Sequence, residues 1–97
     1  MKTIEIITPG EILLEEFIKP YEINPTQLAA SLGVPPNRIS AIVNGKREIT
    51  ADTALRLARF FGTTAEFWLN LQARYNLEIA QGDTTRMKEI KSIKKVA

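Results

Sequence analysis

The 97-residue sequence has no cysteine and no histidine. Their absence excludes disulfides, thiol chemistry and the usual zinc sites, and it fits a reducing compartment. No apolar run approaches the roughly 18 residues of a membrane span. The N-terminus lacks a charged region followed by a long apolar stretch, so no signal peptide is expected and the protein reads as cytoplasmic. There is one tryptophan, and aromatic residues make up only 7%. No phosphate loop and no metal-ligand spacing occurs. Without histidine or cysteine, an enzyme would need paired carboxylates or an activated serine or lysine. The obvious carboxylates, Glu11, Glu15 and Glu16, read as one capping residue and two solvated ones. An enzyme is not expected, nor is a cofactor.

What remains is ordinary in bulk. Hydrophobic residues make up 44% and charged residues 25%, which suits one globular domain. Net charge is only +2, but it is unevenly spread. Residues 1–32 carry −3, residues 33–60 carry +3, residues 61–83 carry −2 and residues 84–97 carry +4. Solvated surfaces fluctuate in this way by chance, so the pattern gains meaning only beside motifs.

Helix starts are legible. Thr8, Pro9 and Glu11 occupy N-cap, N1 and N3 of a capping box, with Ile7 and Ile12 as a hydrophobic staple. Asn24, Pro25 and Gln27 repeat the pattern, with Ile23 and Leu28 as the staple. Val34 and Ile39 staple a third start, whose N-cap is Pro35, a residue with no side-chain acceptor. Thr50 begins a fourth helix, and Thr63 with Glu66 a fifth. Gly33, Gly45, Gly62 and Gly82 follow apolar segments, where a left-handed cap is wanted. These signals predict helices at about 9–19, 25–32, 36–43, 51–61 and 64–80. Residues 1–7 read as an arm, 8–81 as the domain, and 82–97 as a basic tail that is frayed or weakly helical. The helical period assigns Leu13, Leu14, Phe17, Ile18, Leu28, Ala29, Leu32, Ile39, Ile42, Val43, Ala54, Leu57, Ala58 and Phe61 to the core.

The second and third helices are about eight residues each, joined at Gly33. A pair that short needs the first and fourth helices as a platform. This is the helix-turn-helix arrangement, with the second helix of the pair exposed to a DNA major groove. A plain bundle of short helices is the competing structural reading.

On these residues the chain resembles a known group. The segment "TQLAASLGVPPNRISAIVNGKREIT" resembles the helix-turn-helix core of phage-repressor-like (XRE/Cro) proteins. The segments "GEILLEEFIKPYEINPTQLAASLGV" and "NGKREITADTALRLARFFGTTAEFWLNLQARYNLEIA" are similar to HigA-type, or VapI-like, antitoxins. The resemblance covers about residues 8 to 80 and implies an all-α, five-helix, lambda-repressor-like fold. It further implies an antitoxin that neutralises an mRNA-cleaving HigB/RelE-type toxin and represses its own operon as a dimer. A stand-alone repressor without a toxin, and an interaction module with a vestigial helix-turn-helix, remain alternatives.

The resemblance places Pro36, Asn37, Arg38, Ser40 and Ala41 on the recognition helix. Pro36 offers no hydrogen bond, and Ala41 offers only a methyl group. Readout then falls to Asn37, Arg38 and Ser40, with Arg38 suited to a bidentate guanine contact. Lacking a capping side chain, the N–H groups of Asn37 and Arg38 are expected to be free for a phosphate. Gln27, Asn44, Lys46 and Arg47 are expected on phosphates. Arg56 and Arg59 read as surface charges. On the fifth helix, Trp68, Leu71, Tyr75 and Ile79 form one apolar stripe. Leu69, Ala73, Leu77 and Ala80 form a second about 140° away, which suits dimerisation. The acidic residues Glu5, Glu11, Glu15 and Glu16 are the expected face for a basic toxin.

Overall fold

A computed structural model of the protein describes residues 6–96. The described chain is all-helical. Helix α1 (Pro9–Ile12) runs directly into a π-helical turn, Leu13–Ile18. Helices α2 (Pro25–Leu32), α3 (Pro36–Val43), α4 (Ala51–Phe61), α5 (Ala65–Gln81) and α6 (Thr84–Lys91) follow. Among the described residues there are therefore six helices, where the sequence predicts five and a tail that is frayed or weakly helical. The additional one lies in the expected basic tail. Asp83 caps it by accepting from the Arg86 N–H, and Lys88 and Lys91 sit in its last turn, where cations suit the helix dipole. It buries no residue, so no apolar period marks it in the sequence.

The N-terminal capping signals are realised at two starts. Thr8 with Glu11, and Asn24 with Gln27, form reciprocal capping boxes. The start of α5 is shifted by one residue. Thr64 is its N-cap and accepts from the Phe67 N–H, while the Thr63 hydroxyl accepts from the indole N–H of Trp68 at 2.7 Å. At the C-terminal ends, Gly33, Gly45 and Gly62 have positive φ, whereas Gly82 stays right-handed at φ −78°. Gly82 stays right-handed because the chain continues almost at once into α6.

The core joins Leu13 and Ile18 of the first helix to Leu28, Ala29, Leu32, Ile39, Ile42, Ala54 and Leu57, with Trp68 of α5 fully buried beside them. The expected partners Leu14, Phe17, Val43, Ala58 and Phe61 are half-buried against it. Leu13 and Ile18, five residues apart, both reach the buried side, because the wider π turn leaves such a pair closer in direction than an α-helix would. Phe17 then stacks on Trp68 and Phe61, with ring centres 4.7 and 5.0 Å apart. On α5, Trp68 is buried and Leu71 and Tyr75 are half-buried, but Ile79 has left the core and is exposed.

One close approach fixes the platform. A Cβ built on Gly10 would lie on the Ile42 carbonyl of α3, a backbone group that cannot move aside. Gly10→Ala should therefore cost about 3 kcal/mol or more. It should lower the melting temperature by at least about 10 °C, as read by circular dichroism. Gly82→Ala meets nothing closer than 3.5 Å and should leave the melting temperature unchanged or slightly higher.

Candidate nucleic-acid interface

The turn between α2 and α3 is tightly specified. Gly33 takes φ +73°, and the Val34 N–H returns to the Ala29 carbonyl at 3.0 Å. Val34 is buried and anchors the turn. Pro35 is extended, with ψ 145°, and Pro36 occupies the first helical position, where its missing N–H costs nothing. No side chain caps α3, as expected, but the Arg38 N–H is not free. It donates to the Pro35 carbonyl at 3.0 Å, which tightens the first turn and removes one of the two amides expected for a phosphate.

Ile39 and Ile42 are fully buried, so the opposite face of α3 is turned outward. Pro36, Asn37 and Ser40 are exposed there and Ala41 is half-buried. Arg38 points toward α4. Its Nη1 donates to Asp52 Oδ2 at 2.7 Å, and its side chain is only 23% exposed. The same Asp52 oxygen accepts from Arg56 Nε at 3.0 Å, and Arg56 Nη1 donates to the Leu32 carbonyl at 2.8 Å. Arg56 is thus a cap for the C-terminus of α2, not the plain surface charge the sequence suggests. Hydrogen bonds from Arg38 and then Arg56 hold the Asp52 carboxyl below its ordinary value.

Beyond α3, Asn44, Lys46 and Arg47 are exposed on one loop. Gly45 turns that loop at φ +75°, and the Lys46 N–H reaches back to the Ala41 carbonyl at 2.8 Å. Ile49 is buried and pins its far end. Gln27 is exposed at the start of α2, with its carbonyl oxygen held by the Asn24 N–H at 2.9 Å. The structure therefore brings Asn37, Ser40, Asn44, Lys46 and Arg47 onto the exposed face of α3 and the loop that follows it.

Sequence reading misses Gln72. It is buried on α5, its Oε1 accepts from the Ile49 N–H at 2.8 Å, and its Nε2 donates to Asn76 Oδ1 at 3.0 Å. It fixes the cationic loop to α5. The only signal in the sequence is a polar residue next to Leu71, inside an otherwise apolar arc.

The remaining expected sites fall elsewhere. Leu69 and Leu77 are 36% and 58% exposed on α5, with Ala73 exposed and Ala80 half-buried. Glu11 is engaged with Thr8 in the capping box, Glu15 pairs with Lys19 at 2.8 Å, and Glu16 is exposed. Glu5 lies outside the described residues. Among the described residues no acidic cluster could hold a metal ion, and no helix is long and apolar enough to cross a membrane.

Two short helices set by a glycine turn, the second exposed and followed by cations, define a helix-turn-helix domain. The helix-turn-helix family model matches residues 14–68. Virulence-associated protein I of Dichelobacter nodosus is 53% identical over 77 residues, which span 79% of this chain and 71% of that protein. An addiction module antidote protein of a HigA family from Coxiella burnetii superposes with TM-score 0.84 at 50% identity, covering 95% of this chain and 99% of that one. The Pseudomonas aeruginosa antitoxin HigA, solved with the higBA promoter, superposes with TM-score 0.84 at 40% identity, covering 96% and 100%. The chain belongs to the HigA-type antitoxins of the helix-turn-helix family.

The Gln72 anchor gives a direct test. Gln72→Ala leaves the buried Ile49 N–H without an acceptor and should destabilise the fold by about 1–3 kcal/mol in urea unfolding. Amide exchange of Lys46 and Arg47 should speed up more than that of α2.

Proposed function

We propose that the protein is an antitoxin that binds operator DNA as a homodimer to repress its own operon, and that neutralises a HigB/RelE-type ribonuclease toxin by direct binding. The observation that carries the DNA reading is the exposed face of α3 with Lys46 and Arg47 beside it. A solved relative, the Pseudomonas aeruginosa HigA, is described with promoter DNA. In this reading Asn37 and Ser40 face base edges, with Pro36 and Ala41 giving only apolar contact. Gln27, Asn44, Lys46 and Arg47 take phosphates and set the register without reading sequence. The work is done in the cytoplasm, where operator and toxin are both found.

One protomer offers few base contacts, and each good bidentate pair is worth only about 1–3 kcal/mol of discrimination. Two copies related by a two-fold axis double them and place two recognition helices about 34–36 Å apart. Leu69, Ala73, Leu77 and Ala80 are the surface for that pairing. Leu69→Glu combined with Leu77→Glu should yield monomers by light scattering at micromolar concentration. In gel shifts with the DNA upstream of the protein's own reading frame, the same variant should bind at least about tenfold more weakly. A variant that stays dimeric moves the interface off α5, and wild-type protein that ignores this DNA at both low and high salt removes the repressor role.

The toxin acts on RNA, so a basic surface is expected on it. The acidic face of the first helix, with Glu11, Glu15 and Glu16 and with Glu5 before it, is its docking surface. In this reading the toxin leaves the exposed face of α3 open, so DNA and toxin are held together. Glu15→Lys with Glu16→Lys should slow toxin association by about tenfold at low salt in surface binding kinetics. An unchanged rate for a folded variant places the toxin on another face.

A further inference from the structure

The first turn of α3 carries one arginine, Arg38, and its guanidinium is already engaged. Guanine is read through O6 and N7, which needs two parallel N–H donors. A guanidinium offers such a pair on either of two edges: its two terminal nitrogens, or Nε with one of them. In Arg38 the first edge is held back from the groove, because Nη1 donates one of its hydrogens to Asp52 and the side chain is only 23% exposed. The second is closed, because Nε is buried without a hydrogen-bond partner and faces protein rather than solvent.

We propose that Asp52 is a specificity-determining residue for DNA readout: it withholds Arg38 from guanine and turns it into a strut that sets the angle of α3, so that base reading passes to Asn37 and Ser40. The proposal rests on the DNA-binding reading above and reverses the role that the sequence suggests for Arg38. An isolated exposed ion pair would be too weak to withhold anything. This one is part of a network. Asp52 sits in the first turn of α4, where a carboxylate suits the helix dipole, and one of its oxygens holds both arginines. Arg56 is fixed in turn to the Leu32 carbonyl. The chain of bonds runs from the end of α2 through α4 to α3, so it links both helices of the DNA-binding pair to one carboxylate.

The test compares base preference at each position, using a randomised duplex library sequenced before and after binding. The proteins are wild type, Arg38→Lys, Asp52→Ala and the double variant. Lysine keeps the charge but cannot make a bidentate contact. Arg38→Lys should retain the wild-type preference at every position within about twofold, because no bidentate contact is lost. Asp52→Ala frees the guanidinium and should gain a guanine preference of roughly fivefold or more at one position per half-site. The double variant should lose that gain. Loss of a wild-type guanine preference in Arg38→Lys overturns the proposal, and this arm stands even if Asp52→Ala fails to fold. A folded, binding Asp52→Ala protein without the gain overturns it as well. Wild-type protein that enriches no duplex overturns the DNA-binding reading, and this inference falls with it.

Discussion

An eight-residue helix does not hold its shape in water by itself, since isolated helices below about 12–15 residues are marginal. Helix α3 is of that length, and the rest of the molecule is organised around holding it. Ile39 and Ile42 are driven fully into the core, which sets the rotation of the helix about its axis. Gly10 lets α1 touch the backbone of α3 at Ile42. The Arg38–Asp52–Arg56 bonds tie its first turns to α4 and to the end of α2. With both faces so constrained, the outward residues are presented at a fixed angle.

The same logic explains why polar groups are spent inside. The Ile49 N–H is buried because Ile49 has to anchor the loop after α3, and an unpaired buried amide would be costly. Gln72 supplies the acceptor from α5. The helix proposed to pair two copies is therefore bonded directly to the loop that carries Lys46 and Arg47. In that proposal, protomer pairing and the placement of the phosphate-facing cations share one structural element. Half-site spacing would then follow from rigid connections rather than from a linker.

Charge is unevenly divided along the chain. Acids collect on the first helix, while the cations of residues 33–60 lie on or near the helix-turn-helix. Two of those five cations do not simply face solvent. Arg38 and Arg56 are turned onto Asp52, which leaves Lys46, Arg47 and Arg59 as the outward positive charge of that segment. A count of arginines along the sequence therefore overstates the positive charge available to DNA.

Local chemistry was enough to read much of the molecule. The capping boxes at Thr8 and Asn24 depend on residues three apart, so they are visible in the sequence and present in the structure. The inward faces of α2, α3 and α4 follow from the 3.6-residue period, because an amphipathic helix has only one apolar face to bury. The tertiary structure decided what depends on distant neighbours. Arg38 meets Asp52 fourteen residues on, Arg56 meets the Leu32 carbonyl, Gln72 meets Ile49 from another helix, and Gly10 is needed only because α3 passes against it. The π turn at Leu13–Ile18 escaped pattern reading because packing rather than propensity favours it, and the sequence left α6 open between a frayed and a weakly helical tail because that helix buries nothing. Spacing fixes what a side chain meets within one turn of its own helix. Beyond that turn, its partner is set by how helices cross, and no local pattern carries that geometry.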